Sequence, residues 1–274
     1  VQECHNEIKR YHSLAMYLTW FDNNSWLLEI SNQKILIDPW LVDVLTFGNQ
    51  DWFFKGSRLQ ERPIPENIDL ILLSQGLEDH THLPTLKQLN RNIPVVASPN
   101  AAKVVQGLGY TSITSLAHGE SFTLKNLIEI QAFPGSLVGP TLIENSYFVK
   151  ELETGFTLYY EPHGNHSPQL KKLAPVDVII TPIIDVVLPI VGSIIKGSSS
   201  ALEVAKWLQP QFMLPTADAK ETSYEGLLSK ILKTKGNIAD FRLLLEKNNL
   251  PTQVLDPHPG DRVELQLKKR VLAN

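Results

Sequence analysis

The sequence has a single cysteine, Cys4, among 274 residues. A lone thiol excludes an intramolecular disulfide and any zinc site built from several thiolates. It favours a reducing compartment, either the cytoplasm or an organelle stroma reached by a chain that has lost its targeting segment. Basic runs are scarce as well. No stretch of three or more Lys or Arg occurs outside Lys268–Arg270, and the formal charge is -4. The chain therefore lacks the electrostatic footprint that a phosphate backbone requires, and nucleic acid is not an expected partner. No apolar stretch approaches the ~20 residues of a membrane span. The first twenty residues, which begin at Val1, lack the apolar core of a signal peptide, so a soluble protein is expected. No low-complexity tract or Pro/Gly/Ser linker divides the chain, and the 18 prolines gather at apparent strand ends, where they stop a hydrogen-bond ladder. Length and a composition of 43% hydrophobic and 20% charged residues suit one large α/β domain or two small ones, and with nothing to divide the chain one domain over residues 1–274 is predicted.

Short apolar segments with abrupt turns fill the first half: MYLTWF, SWLLEIS, KILIDPW, IDLILLSQ, PVVASP and SITSLA. Their composition and alternation predict strands. LPTLKQLNR and NAAKVVQGLG carry helical apolar spacing, the second opening at an Asn cap and closing at Gly107 or Gly109. A second series follows with LIEIQAFP, ENSYFVKEL, FTLYYEP, DVIITPI and FMLPT as strands. The helices predicted there are SSSALEVAKWLQ, YEGLLSKILKTK and ADFRLLLEKNN. Paired strands followed by strand–helix alternation thus occur twice. Strongly apolar strands need cover on both faces, which predicts two mixed sheets packed face to face with helices outside, built by internal pseudo-duplication.

Titratable residues gather at three of these strand ends. LLSQGLEDHTHLPTL carries Glu78, Asp79, His80 and His82, preceded by Ser74, Gln75, Gly76 and Leu77. Of those four, Leu77 cannot ligate a metal and Gln75 does so poorly. FTLYYEPHGNH ends in Glu161, His163 and His166, and FMLPTAD ends in Asp218. Carboxylates and imidazoles of this kind suffice for a mononuclear zinc or iron site.

Five landmarks in order, WFDNNSWLLEISNQKILIDPWL, IDLILLSQGLEDH, HGESFTL, GFTLYYEPHG and ALEVAKWLQPQFMLPTAD, resemble the metallo-β-lactamase fold superfamily. The resemblance is strongest to its metal-dependent hydrolases related to the L-ascorbate-6-phosphate lactonases. It implies an α/β fold, a four-layer αβ/βα sandwich with two mixed β-sheets. Where that family has two early metal-binding histidines, this sequence has Gln75 and Leu77, and the family's middle histidine has no counterpart between Gln131 and Pro140. The first metal site of a dinuclear centre is thereby lost. The second keeps Asp79 and His80, has His163 at the place of a bridging aspartate, and has Ala217 then Asp218 where the last histidine belongs. The resemblance accordingly implies one divalent cation on Asp79, His80, His163 and Asp218, zinc ahead of iron, or none in a degenerate site. Glu161 and His166 are alternative fourth ligands.

Metal-assisted hydrolysis of an ester, lactone or phosphoester is the chemistry such a site supplies, with Asp79 or Glu161 taking a proton. Glu78, His82 and His166 are expected around the metal rather than on it. Plainer readings stand beside each assignment. Asp79 can cap the next helix with His80 bonded nearby, Glu161 and His163 can form a satisfied structural pair, and Asp218 can cap its own loop. Asp38 is expected to bond turn amides before Pro39. His5, His12, His118 and His258 have no partners at metal spacing.

Two apolar loops remain: Trp52, Phe53 and Phe54 in DWFFKG, and Val187, Leu188 and Ile190 in IIDVVLPIVGSIIKG. The second is either a buried strand or short helix, or an apolar lip. As lips, both point to a small lipophilic substrate, or to peripheral contact with a membrane or a protein. Three function classes follow: a metal-dependent hydrolase, a scaffold that has lost its dinuclear zinc, and a mononuclear-iron or metal-free acid–base enzyme. Metal content separates them.

Overall fold

The computed structural model describes residues 15–139 and 141–269, so Cys4, His5 and His12 lie outside the described residues. β1 (Met16–Trp20), β2 (Trp26–Ile30) and β3 (Gln33–Ile37) form an antiparallel meander. Ser31 and Asn32 both take positive φ, 50° and 55°, which is the two-residue turn whose twist matches the flanking strands. Period-two alternation divides the side chains between two cores. Trp20, Trp26, Leu28, Ile35 and Ile37 face the opposite sheet, whereas Leu27 and Leu36 face the outer helices.

After β4 (Leu45–Thr46) and β5 (Lys55–Arg58), β6 (Leu70–Leu73), β7 (Val95–Ala97) and β8 (Ile113–Ser115) add to β3 in parallel. The crossovers are α1 (Leu83–Gln88) and α2 (Pro99–Gly107). The cap of α2 is Ser98 rather than the expected Asn, its hydroxyl accepting the Ala101 amide at 3.3 Å. Proline supplies the reason, since Pro99 suits the first helical position and moves the cap one residue earlier.

The second sheet comprises β9 (Ser121–Leu124), β10 (Ile128–Val138), β11 (Leu142–Glu151) and β12 (Thr157–Tyr160) as an antiparallel run, then β13 (Val178–Thr181) in parallel. β14 (Asp185–Leu188) and β15 (Gly192–Ile195) then form a hairpin, and α3 (Ser198–Leu208) leads to β16 (Phe212–Pro215) beside β13. β17 (Thr222–Glu225), α4 (Leu227–Ile231), β18 (Lys233–Lys235), α5 (Ile238–Lys247), β19 (Gln253–Val254) and β20 (Arg262–Leu265) complete the chain. Sheet one runs β20-β1-β2-β3-β6-β7-β8 and sheet two runs β19-β16-β13-β12-β11-β10-β9. In each, four antiparallel strands are followed by three parallel additions.

One core lies between the sheets. A second, with Phe241, Leu245, Val204 and Ala205, seals sheet two under α3 and α5, and a third, with Leu86, Ala101 and Val105, seals sheet one under α1 and α2. These are the four layers that the apolar strands demand.

Two local expectations fail. YEGLLSKILKTK is not one helix, because residues 233–235 pair with β14 and leave only the five residues of α4 helical. IIDVVLPIVGSIIKG buries Ile183 but is otherwise a half-exposed antiparallel hairpin rather than a helix, and its tip residue Ile190 is fully exposed. No helix among the described residues is long and apolar enough to cross a membrane.

Candidate functional site

The carboxyl ends of β3, β6, β12 and β16 open on one edge of the sandwich, and each delivers polar side chains there. Asp38 follows β3, Ser74 and Gln75 follow β6, Glu161 and His163 follow β12, and Thr216 follows β16. The β1–β2 turn adds Asn24. Ends of parallel strands are where such folds bind ligands, since loops diverge there and backbone groups are still to be satisfied.

His80 is wholly buried at the centre. Its Nδ1 lies 2.7 Å from Asp38 Oδ2. A carboxylate only accepts, so Nδ1 carries a proton and Nε2 is left facing the cluster. Around Nε2 lie Asp79 Oδ2 at 3.2 Å, His163 Nε2 at 3.3 Å, Gln75 Nε2 at 2.6 Å and Asn24 Nδ2 at 3.4 Å. Ligand atoms of Asp79, His80 and His163 all fall within 4.8 Å of one another, the one such group among the described residues. Asp38 also accepts the Ser74 amide (2.7 Å), the Ser74 hydroxyl (2.5 Å) and the Tyr160 hydroxyl (2.6 Å). It is buried with four donors aimed at it, so it fixes the imidazole and the start of the β6–α1 loop, whereas the Trp40 amide of its own turn donates to Ser25 Oγ at 2.8 Å. Its expected role was the turn alone.

Charges follow from this placement. Burial by itself lowers the pKa of His80, but Asp79 and Asp38 outweigh it and raise the value to about 10. Burial also lowers His163, and the charge of His80 adds to the effect, bringing it to about 4. For Asp79, burial acts upward and is overcome by the charge and hydrogen bond of His80, so its carboxyl sits below the ordinary range. The three groups thus pair an anion with two imidazoles, one held charged and one neutral.

Glu161 is buried and spoken for. Ser136 donates to its Oε1 at 2.8 Å, while the amides of His163 (3.1 Å) and Asn165 (2.8 Å) donate to Oε2. Burial raises its pKa to about 7 against those bonds. The carboxyl therefore anchors the loop that presents His163. Gly164 completes that loop at φ 74°, where an added Cβ would come within 1.8 Å of the Lys196 carbonyl oxygen, so only glycine fits.

Asp218 stands outside the cluster. Its Oδ1 accepts the Ala219 amide at 2.8 Å and its backbone bridges Asn23. Glu78 accepts the Gly48 amide at 3.1 Å. His82 caps α1, with Nδ1 3.4 Å from the Thr85 amide and Nε2 3.1 Å from the Val44 carbonyl. Neither of these two touches His80 or His163.

His166 lies behind the cluster with Nδ1 3.2 Å from the Tyr159 hydroxyl, and burial followed by the charge of Lys196 lowers its pKa to about 3. It helps line a cavity of about 620 Å³ with Leu137, Ile143, Gly164, Lys196 and Ser199.

The predicted lips part company. Trp52 is exposed, but Phe54 is buried and stacks on Phe47 at 4.8 Å beside Trp40 and Leu45, so it is a core residue. Val187 and Leu188 are half-buried in β14, and only Ile190 projects fully. None of the six lines the cavity.

The family model described as beta-lactamase superfamily domain matches residues 17–217. Among solved structures, the isothiocyanate hydrolase from Delia radicum gut bacteria is similar at 15% identity, over 90% of this chain and 98% of that chain, with a TM-score of 0.66. Igni18, a novel metallo hydrolase from the hyperthermophilic archaeon Ignicoccus hospitalis KIN4/I, is 16% identical over 93% of this chain and 100% of that one, with a TM-score of 0.65. CmlA, a diiron β-hydroxylase from Streptomyces venezuelae, is 16% identical over 93% of this chain and 54% of that one, with a TM-score of 0.66. At such identities the likeness is one of fold. No curated protein sequence matches the chain.

Proposed function

The chain belongs to the beta-lactamase superfamily domain family and has the metallo-β-lactamase fold, and from that premise we propose that it is a mononuclear metal-dependent hydrolase whose ion is held by Asp79, His80 and His163. The donor spacing carries this reading. Two donors on one tetrahedral zinc with bonds of 2.0–2.1 Å stand about 3.3 Å apart, and the His80–His163 and His80–Asp79 separations are 3.3 and 3.2 Å. A second observation agrees: Asp79 Oδ1 is buried without any hydrogen-bond partner, a costly state for a carboxylate oxygen that no cation or proton approaches.

A bound zinc ion would supply an acidified water and polarise the carbonyl or phosphoryl group of the substrate. The chain's own residues do the rest. Asp38 keeps the Nδ1 proton of His80 and so presents Nε2. Glu161 holds the loop of His163 through two amides. Both oxygens of Glu161 accept hydrogen bonds, so its carboxyl serves the loop rather than the reaction.

Elemental analysis of protein purified without chelator is expected to find about one zinc or iron per chain, lost in both His80→Ala and His163→Ala. A metal-free wild-type protein after attempted reconstitution would end the hydrolase reading in favour of a scaffold.

A cavity of about 620 Å³ starts at Gly164, the residue after His163, and although none of Asp79, His80 and His163 lines it, its size falls within the ~300–1,000 Å³ of small-molecule sites. Leu137 and Ile143 at its mouth are 54% and 48% exposed, which favours a substrate with an apolar portion. Leu137→Lys is expected to raise the KM for long-acyl esters by about tenfold relative to acetyl esters. An equal change for both chain lengths would remove the lipophilic preference.

A further inference from the structure

Gln75 occupies the middle of the candidate metal cluster. Its side chain is wholly buried, and the last turn of chain before His80 is tied to it by the Thr81 hydroxyl, which donates to the Gln75 carbonyl at 2.6 Å. The amide Nε2 stands 2.6 Å from His80 Nε2 and 3.3 Å from His163 Nε2, two nitrogens that are themselves 3.3 Å apart. The opposite end of the same amide, Oε1, is buried with no hydrogen-bond partner. An amide that crowds its NH2 group between two imidazole nitrogens while its better acceptor goes unpaired is in the unfavourable one of its two orientations. A half-turn about the last side-chain torsion exchanges the two ends at almost no change in shape.

We propose that Gln75 is the fourth protein ligand of the metal, through Oε1, an inference that rests on the mononuclear centre described above. Only the oxygen of an amide has a lone pair to offer a cation, and turning it inward places that lone pair beside both imidazoles. The present 2.6 Å to His80 is a hydrogen-bond separation. Two ligands of one zinc stand about 3.3 Å apart, so binding draws the amide slightly back from His80 while its distance to His163 already fits. The glutamine that stands where the related family carries a histidine then remains part of a metal site, re-aimed from a lost first position to the surviving second one. A neutral amide oxygen would be the weakest donor of the four, so the site would keep one exchangeable position for water or substrate.

Zinc dissociation constants measured by competition with a chromophoric chelator test this directly, with the zinc-induced rise in Tm as a second readout. Gln75→Leu, which keeps the volume and removes the donor, is expected to bind zinc about tenfold or more weakly than the wild type. Gln75→Glu, which keeps an oxygen at the same reach, is expected to bind as tightly or more so. Wild-type affinity or better in Gln75→Leu overturns the proposal and makes Gln75 an internal competitor for the metal. Should Gln75→Leu fail to fold, Gln75→Asn, one methylene short of the cluster, is expected to fold and bind weakly, and unchanged affinity there overturns the proposal equally. Zinc binding absent from the wild type itself would instead defeat the metal centre.

Discussion

Asp38→Ala is expected to lose about 4 kcal/mol of stability in urea unfolding of the metal-free protein and to lose its zinc. The carboxylate accepts four hydrogen bonds, from the Ser74 amide, the Ser74 hydroxyl, the Tyr160 hydroxyl and His80 Nδ1. Tyr160 has a second acceptor in the Asn24 carbonyl at 3.3 Å, but the Ser74 amide and His80 Nδ1 are left with none of comparable geometry. His80 keeps Asp79 at 3.2 Å but loses one of its two counter-charges and the partner of its Nδ1 proton, and an unpaired buried donor of that kind is among the few single changes that cost several kcal/mol. Asp38→Asn separates the two effects. Its oxygen can still accept the Ser74 amide, whereas its NH2 group faces the Nδ1 proton of His80 and forces the ring to the other tautomer. Most of the stability should return, with zinc bound about 10–100-fold more weakly than in the wild type. Stability and zinc affinity near the wild-type values in Asp38→Ala would show that Asp38 positions neither His80 nor the Ser74 loop.

Zinc affinity is expected to rise about tenfold for each pH unit between about pH 7 and pH 9. Burial pulls the pKa of His80 down, but Asp79 and Asp38 together lift it from 6.5 to about 10, so in the metal-free protein both ring nitrogens carry protons across this range. A cation reaches Nε2 only when that proton leaves. His163, lowered to about 4 by burial and by the charge of His80, is already neutral and releases nothing. One proton per zinc is the expected stoichiometry, measurable by calorimetry in buffers of different ionisation enthalpy.

Stability of the metal-free protein moves the other way. His80 has its folded pKa raised, so the stabilisation it contributes is full below about 6.5 and is lost as the pH climbs through about 10. Alkaline conditions thus weaken the empty site and strengthen the loaded one. A zinc affinity that stays flat with pH would mean that His80 is already neutral at Nε2 before the metal arrives.

The elements that sequence made legible are those whose causes are local. Alternation in MYLTW and WLLEI marks strands because each residue's face is set by its immediate neighbours, and the same period later divides two cores. Asp79, His80 and His163 were also legible as candidates, since their positions at strand ends follow from the strands. The Asp38–His80 bond joins residues 42 apart, and nothing in LIDPW states that its carboxylate reaches past its own turn. A buried Asp at the carboxyl end of an apolar strand, one strand away from the histidine, was the available sign.

Phe54 and Trp52 look alike in sequence. Which of two neighbouring aromatics turns inward depends on Trp40 and Leu45, which share no local pattern with them. YEGLLSKILKTK has helical spacing throughout, yet pairing of Lys233 with Val187 and of Lys235 with Asp185 captures its end for a sheet, a tertiary contact overriding a weak local preference. Gln75 has the side chain of a poor metal ligand. Its place between two imidazoles depends on how the ends of β6 and β12 converge.

The pairing of β20 with β1 bears on how the molecule is made. Met16 lies opposite Leu265 and Thr19 opposite Arg262, so β1 leaves the ribosome long before the strand that covers its outer edge. Until then the outer hydrogen-bonding groups of β1 form an open template for any other extended chain. Vectorial synthesis therefore cannot finish the first sheet while it finishes the second, and a nascent chain arrested before residue 262 would be the species most in need of a chaperone.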